Sequence, residues 1–205
     1  NSDRWQKMGL ECWIKRGEFT SQLLFRGWTG ADYEETNEIK LASNYLSVEQ
    51  YKGSSGDNYY YWRMRTDAQF RDPSAWYHFC VSYDSTQTTD TNRIKIYVNG
   101  SVQTVNHPSY HSHADFPTED FEGWINEDGS TAQIGRLVAE QEFDGHMAEV
   151  HFIDGLSFFS ADDGTASTSL NIDTFGETGD YGEWKPKEVS GVTYGNNGFY
   201  LDFAD

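Results

Sequence analysis

Hydrophobic and polar residues alternate along much of the chain, and no helix-period segment of useful length occurs. Alternation with a period of two is typical of strands that bury one face. The first such segment places Leu10, Cys12 and Ile14 on one face. The opposite face takes the residues between them, Glu11 and Trp13. The pattern therefore predicts a half-buried strand near the start of the chain.

Further strand candidates follow, separated by turn residues roughly every 8–15 positions. Because Asn99 and Gly100 separate two alternating segments, 101–105 is expected to form a β-hairpin with 93–98. About ten to thirteen short strands without intervening helices predict an all-β fold, an antiparallel jelly-roll sandwich. No linker divides the chain, so we expect one domain over 1–205. The candidates are 10–15, 22–25, 38–41, 45–51, 59–65, 76–84, 93–98, 101–105, 132–137, 143–153 and 198–203.

Two segments are predicted to be loops, and one of them is rich in aromatic residues. Residues 160–174 suit a loop with one short helical turn, and 107–129 form a longer, irregular segment. Long loops in compact domains are often functional. Exposed aromatic residues with polar neighbours suit sugar binding, and they also suit contacts with a protein partner. We predict ligand or partner contacts at Tyr59, Tyr61, Tyr110, Phe116, Phe121 and Trp124.

Composition and charge exclude several classes of protein. The chain has 205 residues with 33 acidic and 15 basic ones, which gives a formal charge of −18. This charge repels phosphate and no basic patch offsets it, so we expect no nucleic-acid partner. We expect no membrane insertion either, because no apolar run approaches the ~20 residues of a membrane span. Since the chain begins with Asn1 rather than Met, we expect a processed chain or a piece of a longer one.

Candidates for catalysis are few. Glycoside hydrolysis requires two carboxyl groups that flank one bond, and the nearest pair along the chain is Glu140 and Glu142. Glu149 is expected to orient a backbone segment or to form hydrogen bonds within the sheet. His78 and Cys80 share a strand face, where a buried thiol is usually inert. Because a Gly-x-Ser-x-Gly motif is also absent, we predict a protein that is not an enzyme.

The histidines and cysteines do not form a recognisable metal or disulfide pattern. His111 and His113 form a His-x-His pair near His107, which is a plausible pair of transition-metal ligands. A zinc site needs further ligands, so a solvated polar loop is the favoured interpretation. Cys12 and Cys80 could be neighbours across strands and form a disulfide. Free thiols are favoured for a protein that is assembled in a reducing cytoplasm.

Three segments occur in an order that is found in a known group of domains. They are WYHFCVSYD at 76–84, RIKIYVNG at 93–100 and FDGHMAEV at 143–150, and ECWIKR at 11–16 is similar to the group's opening strand. In these segments the chain resembles the concanavalin A-like lectin/glucanase superfamily, in its laminin-G and pentraxin-like branch. The resemblance implies a lectin-like jelly roll. The glucanases of that superfamily carry a Glu-x-Asp-x-x-Glu strand, which this chain lacks.

Four segments, at 70–78, 148–155, 184–188 and 194–203, resemble the lectin-like structural proteins of marine tailed phages. Those are fibre, appendage or capsid-decoration proteins. The resemblance implies a structural protein located in the virion. Its implied partners are other virion subunits, further copies of itself in a homo-oligomer, and a host surface glycan. Two alternatives stay open: a carbohydrate-binding lectin module outside any virus, and a glycosidase.

Calcium is the cofactor that the resemblance suggests, because laminin-G and legume-lectin relatives often bind it through loop carboxylates and carbonyls. No Asp-x-Asp-x-Asp spacing occurs, and most of the acids are expected to be a solvated surface. We therefore assign no metal site from the sequence. The oxygen ligands considered are Asp84, Asp90, Asn92, Glu127, Asp128 and Asp144.

Overall fold

The computed structural model describes residues 6–28, 35–54, 57–108, 116–123, 125, 129–136, 142–159 and 170–203, with side chains except at 35, 52–54 and 57–61. Strands dominate these residues, and two short 3-10 turns occur at Asp90–Asn92 and Ile172–Thr174. No helix within these ranges is long and apolar enough to span a membrane. The predicted all-β architecture is confirmed, as is the short helical turn near the end of 160–174.

Six strands form the first sheet: β1 (Lys7–Arg16), β6 (Tyr77–Asp84), β7 (Ile94–Val98), β8 (Ser101–Val102), β11 (Gly145–Asp154) and β16 (Phe199–Leu201). Their order across the sheet is β16-β11-β1-β6-β7-β8. Every neighbouring pair is antiparallel. Asn99 and Gly100 have φ angles of 49° and 77°. These values suit the tight hairpin turn that the sequence predicts between β7 and β8. The predicted extent of the second strand, 101–105, is wrong: its pairing with β7 ends at Val102, and Val105 pairs with Thr66 of the other sheet.

Six other strands form the second sheet: β2 (Gln22–Trp28), β3 (Glu35–Ala42), β4 (Tyr45–Ser54), β5 (Asp57–Thr66), β9 (Val105–Asn106) and β10 (Thr131–Ile134). Their order is β10-β2-β3-β4-β5-β9, again with antiparallel pairing throughout. The described residues also form two small pairs of strands. They are the parallel pair β12 (Phe158–Phe159) and β13 (Leu170–Asn171), and the antiparallel pair β14 (Gly176–Thr178) and β15 (Trp184–Pro186).

The main hydrophobic core lies between the two six-stranded sheets. Leu10, Cys12 and Ile14 belong to it and are at most 2% exposed, as the alternation predicts. Phe25 of the second sheet stacks on Phe152 of the first, with ring centroids 5.0 Å apart. Burial of a large apolar side chain stabilises a fold by ~1.5–3 kcal/mol, so such contacts hold the two sheets together.

A second, smaller core covers the outer face of the first sheet. Phe158 and Phe175, which follow β11 in the chain, pack there with Cys80 and Tyr97. Gly9 provides the space for one of these rings, since a Cβ at this position would lie 2.3 Å from Phe158 ring carbons. The face of β1 opposite the main core is therefore covered by the chain's own C-terminal part.

The two cysteines are buried and free. In the β1–β6 register, Cys12 lies opposite Phe79 and Cys80 lies opposite Glu11. Successive residues of a strand point to opposite faces, so the two thiols lie on opposite sides of the sheet and cannot meet in a disulfide. Burial raises the pKa of both thiols, which keeps them protonated and unreactive. The prediction of free thiols is confirmed.

Candidate functional site

A pocket of about 850 Å³ opens on the outer face of the first sheet. Strands β1 and β11 contribute to it from the sheet, and residues 184–200 contribute from the C-terminal segment. Two of its aromatic residues are well exposed, Trp76 at 43% and Tyr200 at 42%. The lining residues are Trp13, Trp76, Ala148, Glu149, His151, Trp184, Lys185, Pro186, Lys187, Glu188, Val189, Tyr194 and Tyr200.

One row of side chains crosses five strands at this pocket. Strand register places Tyr200, His151, Glu11, Cys80 and Tyr97 opposite one another, on β16, β11, β1, β6 and β7 in turn. Directly opposed residues of antiparallel strands share a face of the sheet. The register therefore brings a carboxyl group, an imidazole and a phenol to the same outer face.

Glu11 is the centre of a buried polar network. Its Oε2 lies 2.7 Å from His78 Nε2, and its Oε1 lies 3.3 Å from His151 Nε2. All three side chains are at most 1% exposed. Burial raises the pKa of Glu11 well above its ordinary value, and the negative charge of Glu149 adds to this rise. Glu11 is thus a carboxyl group without contact with solvent.

Trp184 fixes the proton position on His78. The indole Nε1–H donates to His78 Nδ1 over 2.9 Å, and an indole nitrogen can only donate. His78 Nδ1 is therefore an acceptor, so Nε2 carries the proton and donates to Glu11. The imidazole also stacks between the rings of Trp13 and Trp184, at centroid distances of 4.7 and 6.0 Å. Burial and the nearby His151 lower the pKa of His78 to about 3, which keeps the ring neutral.

His151 has a similar set of aromatic neighbours on the other side of Glu11. Its ring stacks with Tyr200 and Tyr194, at centroid distances of 4.2 and 5.8 Å. His151 Nδ1 forms a 2.7 Å hydrogen bond with the Tyr194 hydroxyl. Burial lowers the pKa of His151 to about 4, so this histidine is also neutral near pH 7. Glu11 thus joins two stacks of aromatic rings, each with a neutral histidine.

A β-bulge in β11 brings Glu149 to the pocket. Glu11 pairs with His151 and Trp13 pairs with Ala148, so two residues of β11 face the single intervening residue of β1. Glu149 has a φ angle of 50°, which is uncommon for a residue other than glycine. Bulges of this kind often redirect a side chain next to a functional site. Here the bulge allows Ala148, Glu149 and His151 all to line the pocket.

Glu149 is the accessible acid of this group. Its side chain is 38% exposed, and its Oε2 accepts a 2.6 Å hydrogen bond from the Tyr200 hydroxyl. The same oxygen lies 3.8 Å from His151 Nε2. The bond to the carboxylate raises the pKa of Tyr200, since the phenol is held in its protonated form. A ligand in the pocket can therefore meet a carboxylate whose position is fixed by a tyrosine.

The two lysines that line the pocket have partners of their own. Lys185 Nζ lies 3.2 Å from the Glu177 carboxylate on the neighbouring strand β14. Lys187 Nζ donates to the backbone carbonyl of Asp173 over 3.0 Å. Both ammonium groups are thus engaged, and both contacts are exposed.

Of the six aromatic contact residues predicted from sequence, the two whose side chains the structure describes lie away from this pocket, and the role of all six stays a prediction. Phe116 and Phe121 are partly buried and pack against the main core. The Phe121 backbone carbonyl accepts a hydrogen bond from the Tyr83 hydroxyl, which ties this segment to β6. The others cannot be placed: Tyr110 and Trp124 lie outside the described residues, and Tyr59 and Tyr61 lie on β5 with side chains outside the description.

The predicted carboxylates and histidines give no metal cluster in the described part of the chain. Asp84 accepts hydrogen bonds from Thr86 and Gln87 and pairs with Lys7 at 3.2 Å. Those residues that the structure describes include no group of three or more His, Cys, Asp or Glu side chains placed to hold a metal ion. Four of the residues considered as metal ligands lie outside the description: His111, His113, Glu127 and Asp128.

Of the two carboxylates considered for catalysis, Glu142 is exposed and lies 3.9 Å from Arg136. Glu140 lies outside the description.

Sequence reasoning missed the pocket, although it identified several parts of it. The shared face of His78 and Cys80 and the outward face of Glu11 and Trp13 were read correctly from alternation. That all four residues are buried could not be read from alternation, because their burial depends on residues about 100 to 170 positions later, above all Trp184. One signal in the sequence could have indicated the pocket: Glu11 is an ionisable residue on the non-core face of a strongly apolar strand.

Comparison with known proteins assigns the fold family. A model of the concanavalin A-like lectin/glucanases superfamily, Laminin_G_3, matches residues 3–157, which is more than half of the chain. The chain belongs to this superfamily. Eight of the thirteen pocket residues lie after position 157, so this lectin-like domain builds most of its pocket from a segment beyond the family match. No curated protein matches the chain in sequence.

Several solved structures are similar to this domain at low sequence identity. The carbohydrate-binding module CBM40 of the Ruminococcus gnavus IT-sialidase, bound to α2,3-sialyllactose, is 13% identical with a TM-score of 0.50, over 75% of this chain and 77% of that one. Domain 4 of AbnA, an extracellular arabinanase from Geobacillus stearothermophilus in complex with arabinotriose, is 18% identical with a TM-score of 0.45. The match covers 73% of this chain and 61% of the arabinanase domain, less than two thirds of it. Tailspike protein 2 of bacteriophage CBA120 is 10% identical with a TM-score of 0.43, over 74% and 23% of the two chains.

Proposed function

We propose that this domain is a non-enzymatic lectin that binds a glycan in the pocket on the first sheet. The observation that carries the proposal is the pocket itself, which combines exposed aromatic rings with a fixed carboxylate. Trp76 and Tyr200 offer apolar faces on which a sugar ring can stack. Glu149 offers hydrogen-bond acceptors for sugar hydroxyls.

The size of the pocket suits a short oligosaccharide. Its volume of about 850 Å³ falls within the ~300–1,000 Å³ of typical small-molecule sites. The module from Ruminococcus gnavus, which has this fold, binds sialyllactose. That case supports glycan binding as a role of the fold, while the ligand of this chain depends on its own residues.

The arrangement of carboxyl groups supports binding rather than hydrolysis. A glycosidase needs two carboxyl groups on either side of the scissile bond. Glu11 has the raised pKa of a general acid, but its side chain is fully buried and cannot contact a sugar. Glu149 and Glu188 both line the pocket, but Glu149 is held by the Tyr200 hydroxyl beside a buried, neutral His151, which suits a hydrogen-bond acceptor for sugar hydroxyls rather than a proton donor. We therefore expect bound glycans to be released unchanged.

Replacement of Trp76 tests the pocket as the glycan site. We expect Trp76→Ala to lower the affinity for the best ligand of a glycan array by about tenfold, since a stacking aromatic residue is removed. Phe19→Ala is the matched control, because Phe19 is also 43% exposed but does not line the pocket. Calorimetric titration measures both affinities. Equal affinities for the two variants, or the appearance of new reducing ends, contradict the proposal.

We further propose that the domain is displayed on a tailed-phage virion, as a capsid decoration or as part of a fibre or appendage. The support is the resemblance of 70–78, 148–155, 184–188 and 194–203 to such proteins. Display of many copies next to other virion subunits makes weak glycan sites effective through avidity. Imaging of intact particles from the source tests this placement: the domain should be visible on the particle with the pocket facing solvent. Particles without the chain contradict the virion role and leave the lectin proposal standing.

A further inference from the structure

We infer that the pocket selects a positively charged ammonium group, carried by an amino sugar whose nitrogen is not acetylated. This inference rests on the proposed glycan-binding function and narrows it to one class of ligand. The structural basis is the combination of aromatic walls, an accessible carboxylate and lysines that are engaged elsewhere.

The aromatic walls suit a cation. Ammonium groups are attracted to the faces of tryptophan and tyrosine rings, most strongly to tryptophan. Three tryptophans and two tyrosines line this one cavity. Neutral sugars also stack on such rings, so the rings alone do not distinguish a cationic sugar from a neutral one. The charged side chains of the lining must provide that distinction.

The charge at the sheet side of the pocket is negative. The carboxylate of Glu149 is partly exposed, and Tyr200 holds it by a hydrogen bond to one oxygen. Within the described part of the chain, its one ion-pair partner inside 4 Å is His151, at 3.8 Å. His151 is neutral near pH 7, because burial lowers its pKa to about 4. Glu149 therefore has no positively charged partner among the described residues, and a bound ammonium group can serve as one.

The other charges of the lining do not cancel this preference. Glu177 neutralises the charge of Lys185, whereas Lys187 keeps its charge because the Asp173 carbonyl to which it donates is neutral. Glu188 adds a second carboxylate to the lining, which balances Lys187 and leaves Glu149 as a net negative charge. The whole chain carries a charge of −18, which repels acidic sugars at long range. Acidic glycans are therefore expected to be the poorest ligands.

The test compares oligosaccharides that carry free amines, neutral acetamides or a carboxylate. The full chain is titrated calorimetrically with tetra-glucosamine, with tetra-N-acetylglucosamine and with sialyllactose. We expect tetra-glucosamine to bind at least tenfold more tightly than its acetylated form, and sialyllactose to bind least. Choline chloride is a separate arm, because a quaternary ammonium head group presents the same charge without a sugar. Choline binding tighter than tetra-glucosamine overturns the assignment to an amino sugar.

Glu149→Gln separates the pocket charge from the charge of the whole surface. It should reduce the affinity for tetra-glucosamine about tenfold and change the affinity for the acetylated form little. Glu142→Gln is the control, because it removes one charge from an exposed residue that does not line the pocket. This control measures how much the negative charge of the surface in general contributes to the affinity for a cationic ligand. We expect it to change the affinity for tetra-glucosamine by no more than twofold.

Salt dependence gives a second readout that needs no variant. Binding of tetra-glucosamine should weaken as ionic strength rises, while binding of the acetylated form stays constant. If the acetylated form binds as tightly as tetra-glucosamine, or if both variants lose affinity equally, the ammonium inference is wrong and the lectin proposal stands. If no glycan of any charge binds, the proposed function itself fails.

Discussion

Trp184→Ala is expected to lower the free energy of unfolding by about 3 kcal/mol, at the lower end for removal of a packed tryptophan. The indole stacks on His78 and donates to its Nδ1. It also fits closely against the backbone at Gly100 and Gly176, where a Cβ would lie 2.5 Å from the ring. Its loss leaves a cavity and an unpaired buried acceptor. Urea denaturation of both proteins measures the difference.

Trp184→Phe separates packing from hydrogen bonding. Phenylalanine keeps an aromatic ring over His78 but has no N–H, so the variant should lose ~1–3 kcal/mol, as expected when a buried acceptor is left unpaired. The Nδ1 atom of His78 then becomes free to take a proton, so we expect the pKa of His78 to rise, which NMR titration can follow. If Trp184→Ala costs less than 0.5 kcal/mol, the C-terminal segment is not anchored to the sheet through this residue.

The sandwich could be predicted because it depends on short-range patterns. Alternation at 10–15 predicts the inward face correctly, and Asn99 with Gly100 predicts the position of the hairpin turn correctly. Both follow from strand geometry and turn chemistry, which act within a few residues. The phenylalanines of the 107–129 loop show the limit of this reasoning: Phe116 and Phe121 lie in a polar segment, yet they pack against the main core.

The pocket could not be predicted because long-range contacts create it. Alternation places Glu11 on the non-core face, where a charged residue is usually solvated. The residue is instead fully buried, and the C-terminal segment that covers this face supplies Trp184 and Tyr194. The bulge in β11 is a second reason why the pocket could not be predicted, since one extra residue changes the side of the sheet on which the Glu149 side chain lies. Neither feature follows from periodicity within a strand.

Acidification from pH 6.5 to 4.5 is expected to lower the free energy of unfolding by about 3 kcal/mol. His78 and His151 have pKa values of about 3 and about 4 in the folded protein, against an ordinary value of about 6.5. At a pH between the folded and the unfolded pKa, each histidine is protonated in the unfolded chain and neutral in the folded chain. Each histidine therefore adds ~1.4 kcal/mol of stability for each unit of rising pH, and this gain ends near pH 6.5.

Glu11 changes the pH dependence of stability in the opposite direction to the two histidines. Its pKa is raised in the folded protein, so above about pH 4.5 the folded chain keeps a proton that the unfolded chain releases. Stability from this residue is present at low pH and is lost as the pH rises towards the folded pKa. Two histidines outweigh one glutamate, so stability still rises with pH between 4.5 and 6.5, by at least ~1.4 kcal/mol per unit. Above pH 6.5 the histidine gain has ended, so the rise in stability is expected to stop near that pH.

Glu11→Gln tests this balance directly. Glutamine keeps the shape of the side chain and an oxygen that accepts from His78 Nε2–H, but it does not ionise. The free energy of unfolding of the variant should rise more steeply with pH than that of the parent protein above pH 4.5, because the opposing glutamate contribution is gone. Urea denaturation at intervals of one pH unit measures both profiles. Glu142→Gln, an exposed substitution of the same kind, should follow the parent profile. If Glu11→Gln also follows it, Glu11 is ionised in the folded state and two neutral histidines suffice to hold a buried carboxylate.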